Sequence, residues 1–311
     1  MVCQEEFFMG IKNFIINLAP SPLVKIFAGP YVAGDSIDVA VSTAKKFWEE
    51  RHVNSTIDLL GEELDKDEDV QYSIDVYERL ITALGRQEFA TISLKPTQLG
   101  SHKGTEHCQK IIRDIVARAA EFDIKVTLDM EDHPFTDMTL DIYRAIHKEF
   151  PSFGTVLQSR LFRTDDDIKS IEGLSARIRL CIGIYSEPKE FALQSKAEMK
   201  TKMLSQLEVL FKDGHYVEIA THDEAVIQES INIAERLQVK KDRYEVQMLM
   251  GVPKQTFQDQ LLKDGIPVRL YVPFAEKWNY ATAYAKRRLM ANPAMAAYII
   301  KNMIQKASGK H

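Results

Sequence analysis

The chain has 311 residues, 45% hydrophobic and 27% charged, with a net charge of -5. That length and composition suit a globular protein with a sizeable core, as two small domains or one large α/β barrel, and give no basic footprint for nucleic acid. Cys3, Cys108 and Cys181 fit no zinc or disulfide spacing, Glu5 and Glu6 precede any lysine where a signal or transit peptide would be basic, and no apolar run reaches about 18 residues, so a reducing, intracellular, non-spanning protein is expected.

Two amphipathic stretches come first, FFMGIKNFIINLA (7–19) and IDVAVSTAKKFWEERH (37–52). Pro20, Pro22, Gly29 and Pro30 punctuate them, and together they read as an N-terminal helical cap over 1–50. Eight short apolar, β-branched runs follow: STIDLL (55–60), FATISLK (89–95), IKVTLDM (124–130), GTVLQSR (154–160), RIRLCI (177–182), YVEIAT (216–221), YEVQML (244–249) and PVRLYV (267–272). Their mean spacing of about 30 residues is that of one strand–helix unit. Between them GTEHCQKIIRDIVARAAEF puts Ile111, Ile112, Ile115, Val116 and Ala119 on one helical face. A Ser-x-x-Glu start at Ser195–Glu198 and a stop at Gly214 bound another helix, and THDEAVIQESINIAERLQV repeats the pattern. Eightfold alternation predicts a (β/α)8 barrel over 51–293, with a doubly wound open sheet as the alternative. The tail over 294–311 reads as an amphipathic helix ending in polar coil, suited to packing, with membrane contact as the alternative.

In such a barrel the chemistry stands at the C-terminal ends of the strands. Read in order, those ends carry Asp58 and Glu62, then Lys95, then Asp129 and Glu131, then Gln158 and Arg160. Arg179, Thr221-His222-Asp223, Gln247 and Tyr271 follow. Ser93/Lys95, Thr127/Asp129, Arg177/Arg179 and Arg269/Tyr271 are i, i+2 pairs and share a strand face. Cations on some strands and carboxylates on others suggest a polar pocket that orders an anion; the plainer alternative is a structural ion-pair network. In AYAKRRLMANP, read as a helix, Tyr284, Arg287, Arg288 and Ala291 share one face. The two arginines either reach solvent or meet an anion.

Other patterns are weak. DMEDH (129–133) has ligand-type residues but no second cluster to complete a metal site, and SHKGTEHC (101–108) reads as a loop entering a helix. No metal is expected. There is no G-x-G-x-x-G and no P-loop.

Taken in order, DLLGE (58–62), ISLKPTQLG (92–100), LDMED (128–132), VLQSRLFRTDDD (156–167), RLCIGIYSEPKE (179–190), ATHDE (220–224), YEVQMLMGV (244–252) and RLYVPF…RR (269–288) resemble the FAD-dependent proline dehydrogenase family, in its monofunctional form. The resemblance covers about residues 31–293. It implies a distorted (β/α)8 barrel with non-covalent FAD at the strand ends. It also implies oxidation of L-proline to 1-pyrroline-5-carboxylate by hydride transfer to flavin N5, the first step of proline catabolism to glutamate. The implied partners are a quinone or other electron acceptor and a separate pyrroline-5-carboxylate dehydrogenase, since the chain ends soon after Arg288. A cytoplasmic protein is expected, with a peripheral place at the inner membrane as the alternative.

The resemblance also assigns residues. Arg287 and Arg288, joined by Lys95, match the grip on the substrate carboxylate, for which guanidinium forks are suited. Asp129 matches the acid that orders these cations, and Tyr271, Tyr284 and Leu249 match the walls around the proline ring. Glu62 matches a gate that pairs with Arg287 when the site is empty. Arg179 matches the cation beside the isoalloxazine, while Met130, Gln158, Gly183, Thr221, His222 and Gln247 match the remaining flavin contacts. Three positions depart from the family pattern: Ile182 and Ile184 stand where Lys and Ala flank the glycine, and Ala291 stands for a glutamate. The departures motivate two further readings: oxidation of another cyclic imino acid (hydroxyproline or a substituted proline), and a non-enzymatic amino-acid-binding barrel.

Overall fold

The computed structural model describes residues 29–278 together with 280 and 284. The expected helix over 7–19, the helix and tail over 294–311, and Arg287, Arg288 and Ala291 lie outside the described residues. Eight strands are formed: β1 Asn54–Leu59, β2 Ala90–Leu94, β3 Val126–Leu128, β4 Gly154–Gln158, β5 Arg177–Cys181, β6 Tyr216–Ala220, β7 Tyr244–Leu249 and β8 Val268–Phe274. They pair in parallel in chain order and close into a barrel. The ladder from Asn54↔Arg269 to Leu59↔Phe274 joins β1 to β8, which excludes the open sheet. Each expected run contains or overlaps one strand.

The helices of the outer ring are α1 Ile37–Arg51, α2 Asp67–Leu84, α3 Thr105–Ala120, α4 Thr136–His147, α5 Thr164–Lys169, α6 Lys196–Lys212, α7 Glu224–Arg236 and α8 Gln255–Lys263. Local chemistry starts several of them. Ser36 caps α1 by accepting from the Val39 amide at 3.3 Å, Ser195 caps α6 through the Glu198 amide at 3.4 Å, and Asp223 caps α7 through Ala225 and Val226 at 3.1 and 3.2 Å. Each cap satisfies a donor that the first helical turn leaves unpaired. α1 precedes the barrel in sequence but packs on β1 and β8, and its Ile37, Ala40 and Ala44 belong to the same apolar core as the strands.

That core lies between the two rings. Ile92, Leu94, Leu128, Ile178, Leu180, Val217, Ile219, Val246 and Val268 are buried with the inner faces of the helices. Emptying one such Leu or Ile position costs about 2–5 kcal/mol. Period-2 alternation then sends the polar residues of the same strands inward. Thr56 meets Thr91 at 3.0 Å, Arg177 donates to Thr127 at 2.9 Å, and Arg269 donates to Glu245 at 2.6 Å. The barrel interior is therefore filled with hydrogen bonds and charges where branched apolar side chains are usual.

Candidate active site

A cavity of about 370 Å³ opens at the C-terminal ends of the strands. Its size falls within the range of about 300–1,000 Å³ usual for small-molecule sites. Glu62, Lys95, Asp129, Met130, Arg179, Gly183, Thr221, His222, Gln247, Leu249, Tyr271 and Tyr284, all singled out from the sequence, line it, joined by Asp58, Cys181, Ile182 and Ile184. Gln158 is buried beside the Gly183 turn. The cavity thus gathers residues from all eight strands or the loops directly after them, Val156 of β4 included, and Tyr284 from the segment after β8.

Asp129 is the hub. Its Oδ1 accepts from Arg179 Nη1 at 2.6 Å and from Ser93 Oγ at 3.0 Å; its Oδ2 accepts from the Tyr271 hydroxyl at 2.6 Å and faces Lys95 Nζ at 3.8 Å. Lys95 also bonds Asp58 directly. Burial pushes the Asp58 carboxyl up to about 6 against the pull of the Lys95 ammonium. Burial disfavours the Lys95 charge too, but Asp58, Asp129 and Glu62 outweigh it and hold the ammonium above its ordinary range. Burial and the Asp129 charge raise the Tyr271 hydroxyl far above its ordinary value, so it remains a donor at neutral pH.

Arg179 forms the floor. Its Nε donates to Gln247 Oε1 at 2.6 Å and lies 3.4 Å from Glu218, and its Cζ stands 5.3 Å from the Tyr271 ring centroid. A second layer of charge lies beneath. Arg177 bonds Glu218, and Arg269 bonds Glu245, which also accepts from Gln247 at 2.7 Å. Arg177 and Arg269 do not line the cavity. For these two cations the structural ion-pair alternative holds, and only the upper members of the i, i+2 pairs reach ligand space. Glu218 and Glu245 escaped the sequence reading. The signal was present, because each is a lone carboxylate inside an apolar strand with the alternation phase of Ala220 and Gln247.

On the other wall, Gln158 Nε2 donates to the Glu131 carbonyl at 2.7 Å, while its Oε1 is buried with no hydrogen-bond donor among the described residues. Gly183 has φ +104°, and a Cβ there would meet Gln158 Oε1 at 2.4 Å, so only glycine fits. His222 Nε2 accepts from the Leu249 amide at 2.9 Å, and Thr221 Oγ1 accepts from the Asp223 amide at 3.2 Å. The acids and histidine of DMEDH separate: Asp129 faces the cavity, Glu131 bonds Thr97 through its amide and hydroxyl, and His133 bonds Glu187 at 2.6 Å. Among the described residues no three His, Cys, Asp or Glu side chains are grouped as a metal site. No helix among them is long and apolar enough to cross a membrane. The Glu62–Arg287 pairing falls outside the described residues.

Comparison with known proteins gives a consistent picture. The family model described as proline dehydrogenase matches residues 40–185 and 193–299. Proline dehydrogenase 1 of Bacillus subtilis strain 168 is 30% identical over 300 residues, covering 96% of this chain and 98% of the relative. The proline dehydrogenase of Deinococcus radiodurans is 33% identical over 281 residues, covering 88% and 89%. Among solved structures, proline utilization A from Bdellovibrio bacteriovorus, inactivated by N-propargylglycine, superposes with a TM-score of 0.78 at 22% identity. It covers 86% of this chain, which spans 32% of the length of that one, and the likeness is one of fold.

Proposed function

Because the chain belongs to the proline dehydrogenase family, we propose that it oxidises L-proline to 1-pyrroline-5-carboxylate, the entry to proline catabolism. The reaction removes a hydride from ring C5 and a proton from the ring nitrogen, leaving a C=N bond. FAD, bound non-covalently, supplies the acceptor for that hydride at its N5. The observation that carries the reading is the Asp129 hub, which fixes Arg179, Tyr271 and Lys95 around one cavity.

The residues present suit a flavin. The buried Gln158 Oε1 without a donor among the described residues matches a ring N–H, and the Gly183 turn keeps the backbone close beside it. Arg179 brings a cation to the floor, where negative charge develops as a flavin is reduced. Met130, Gln158, Arg179, Gly183, Thr221, His222 and Gln247 would hold the cofactor.

The substrate side follows from charge. Lys95 is compensated by Asp58 and Asp129, and Arg179 by Asp129 and Glu218. A substrate carboxylate needs cations beyond these, the role that the family resemblance assigns to Arg287 and Arg288. Asp129 orients Lys95 and the Tyr271 hydroxyl toward the ligand, while Tyr271, Tyr284 and Leu249 exclude water from the ring. Glu62 serves as the gate. Ile184, on the cavity wall, favours as a second reading another cyclic imino acid with a differently substituted ring.

The test is the anaerobic visible spectrum of the purified protein before and after L-proline. A flavin band that bleaches is expected. A flavin band that bleaches only with hydroxyproline or a substituted proline would replace the substrate, and a colourless protein that takes up no FAD would refute the reading.

A further inference from the structure

Beneath the cavity lies a column of alternating charge. Glu218 on β6 is 1% exposed and pairs in register with Arg179 on β5 and Glu245 on β7. Its Oε1 accepts from Arg177 and its Oε2 lies 3.4 Å from Arg179 Nε, with no hydrogen bond to that Oε2 among the described residues. Arg179 lines the cavity, whereas Glu218 and Arg177 do not. Glu218 can therefore reach ligand only through Arg179.

We propose that Glu218 is a positioning residue that sets how much positive charge Arg179 presents to the cavity, and thereby the reduction potential of the bound flavin. The inference rests on the reading of the cavity as an FAD site. Arg179 is shared between Asp129 at 2.6 Å on the cavity side and Glu218 on the side away from it. A second buried carboxylate offsets part of the guanidinium charge, and in a poorly polarisable interior that offset is little screened. Less net charge at the floor stabilises a reduced, anionic ring less and makes its electrons easier to release. Arg177, on the far side of Glu218, offsets the offset. Burial opposes ionisation of Glu218, but Arg177, Arg179 and Arg269 outweigh it, so the carboxylate stays charged across the working pH range.

The column predicts a sign pattern that a merely structural ion pair does not. Glu218→Gln uncovers Arg179 and raises the potential. Arg177→Met leaves Glu218 to act more fully on Arg179 and lowers it. The experiment is equilibrium dye titration of the bound FAD in wild type and in both variants, with FAD content measured beside it. Each variant is expected to change the ratio of reduced to oxidised flavin at fixed potential about tenfold, which is about 30 mV for a two-electron couple. Shifts of the same sign, or no shift in either, overturn the proposal. Should Glu218→Gln not fold, Arg177→Met decides alone: a lowered potential supports the proposal, and an unchanged or raised one overturns it. A wild-type protein that takes up no FAD overturns both this inference and the function beneath it.

Discussion

Glu131 offers a quantitative test of how the β2 and β3 loops are held together. Its side chain is 3% exposed and accepts from the Thr97 amide at 2.9 Å and the Thr97 hydroxyl at 2.5 Å. That pins the turn directly after Lys95. Burial raises the carboxyl from its ordinary 4.5 to about 7; the Thr97 bonds oppose the rise and the Glu62 charge adds to it. The folded protein thus keeps a proton that the unfolded chain releases. Glu131 contributes its full share of stability below pH 4.5 and loses it as pH rises through about 7. The window corresponds to about 3 kcal/mol. Glu131→Gln preserves shape and an acceptor for Thr97 but cannot ionise. Relative to wild type, the variant is expected to gain about 2–3 kcal/mol between pH 5 and pH 8. Equilibrium urea unfolding followed by circular dichroism at several pH values measures this, and the Asp58 titration, common to both proteins, cancels. A stability difference that does not change with pH, or one that moves against glutamine as pH rises, would refute the reasoning.

Two further substitutions probe the cavity. Tyr271→Phe keeps the ring near Arg179 but removes the 2.6 Å bond to Asp129; a bond to a charged group is worth about 1.5–3 kcal/mol, so kcat/KM for proline should fall roughly 10- to 100-fold with FAD content unchanged. Wild-type kinetics in that variant would remove the hydroxyl from the site. Gly183→Ala sets a Cβ against Gln158 at φ +104°, a strain of about 1–3 kcal/mol, and should lower both FAD occupancy and melting temperature. Wild-type values for both would show that the turn relaxes freely.

The barrel was legible because each strand is a short apolar run and several helices announce their starts with a capping side chain. Ser195 caps the helix expected to start there, and Asp223 caps the next helix two residues past the Thr221 that opened its expected pattern. The expected strand boundaries differ by no more than two residues, β3 included, where the regular ladder is only Val126–Leu128. The convergence of Lys95, Asp129, Arg179 and Tyr271 on one cavity was legible from alternation plus the rule that strand C-termini face the site. Depth was not. Alternation says which face a residue takes but not how far along the axis it sits, so the Arg177/Arg179 pair read as one polar face although only Arg179, the member nearer the strand end, reaches the cavity. Partnership was hidden as well. Glu218 and Arg177 are 41 positions apart, and only closure of the sheet reveals that one neutralises the other.

The polar filling of the barrel also governs how the protein comes apart. Arg269 donates to the Ser55 carbonyl across 214 positions and to Thr91 Oγ1 across 178. Such bonds exist only after β8 has docked on β1, late in assembly, because the long loop must close before they form. Interactions absent from the folding transition state leave the folding rate alone and slow unfolding. Parting any two strands would wet a column of ion pairs and strand its members without partners. The charged interior is therefore expected to act as a kinetic lock, lengthening the lifetime of the closed barrel more than it deepens its equilibrium stability, so that Arg269→Met should speed unfolding in urea and leave the folding rate unchanged.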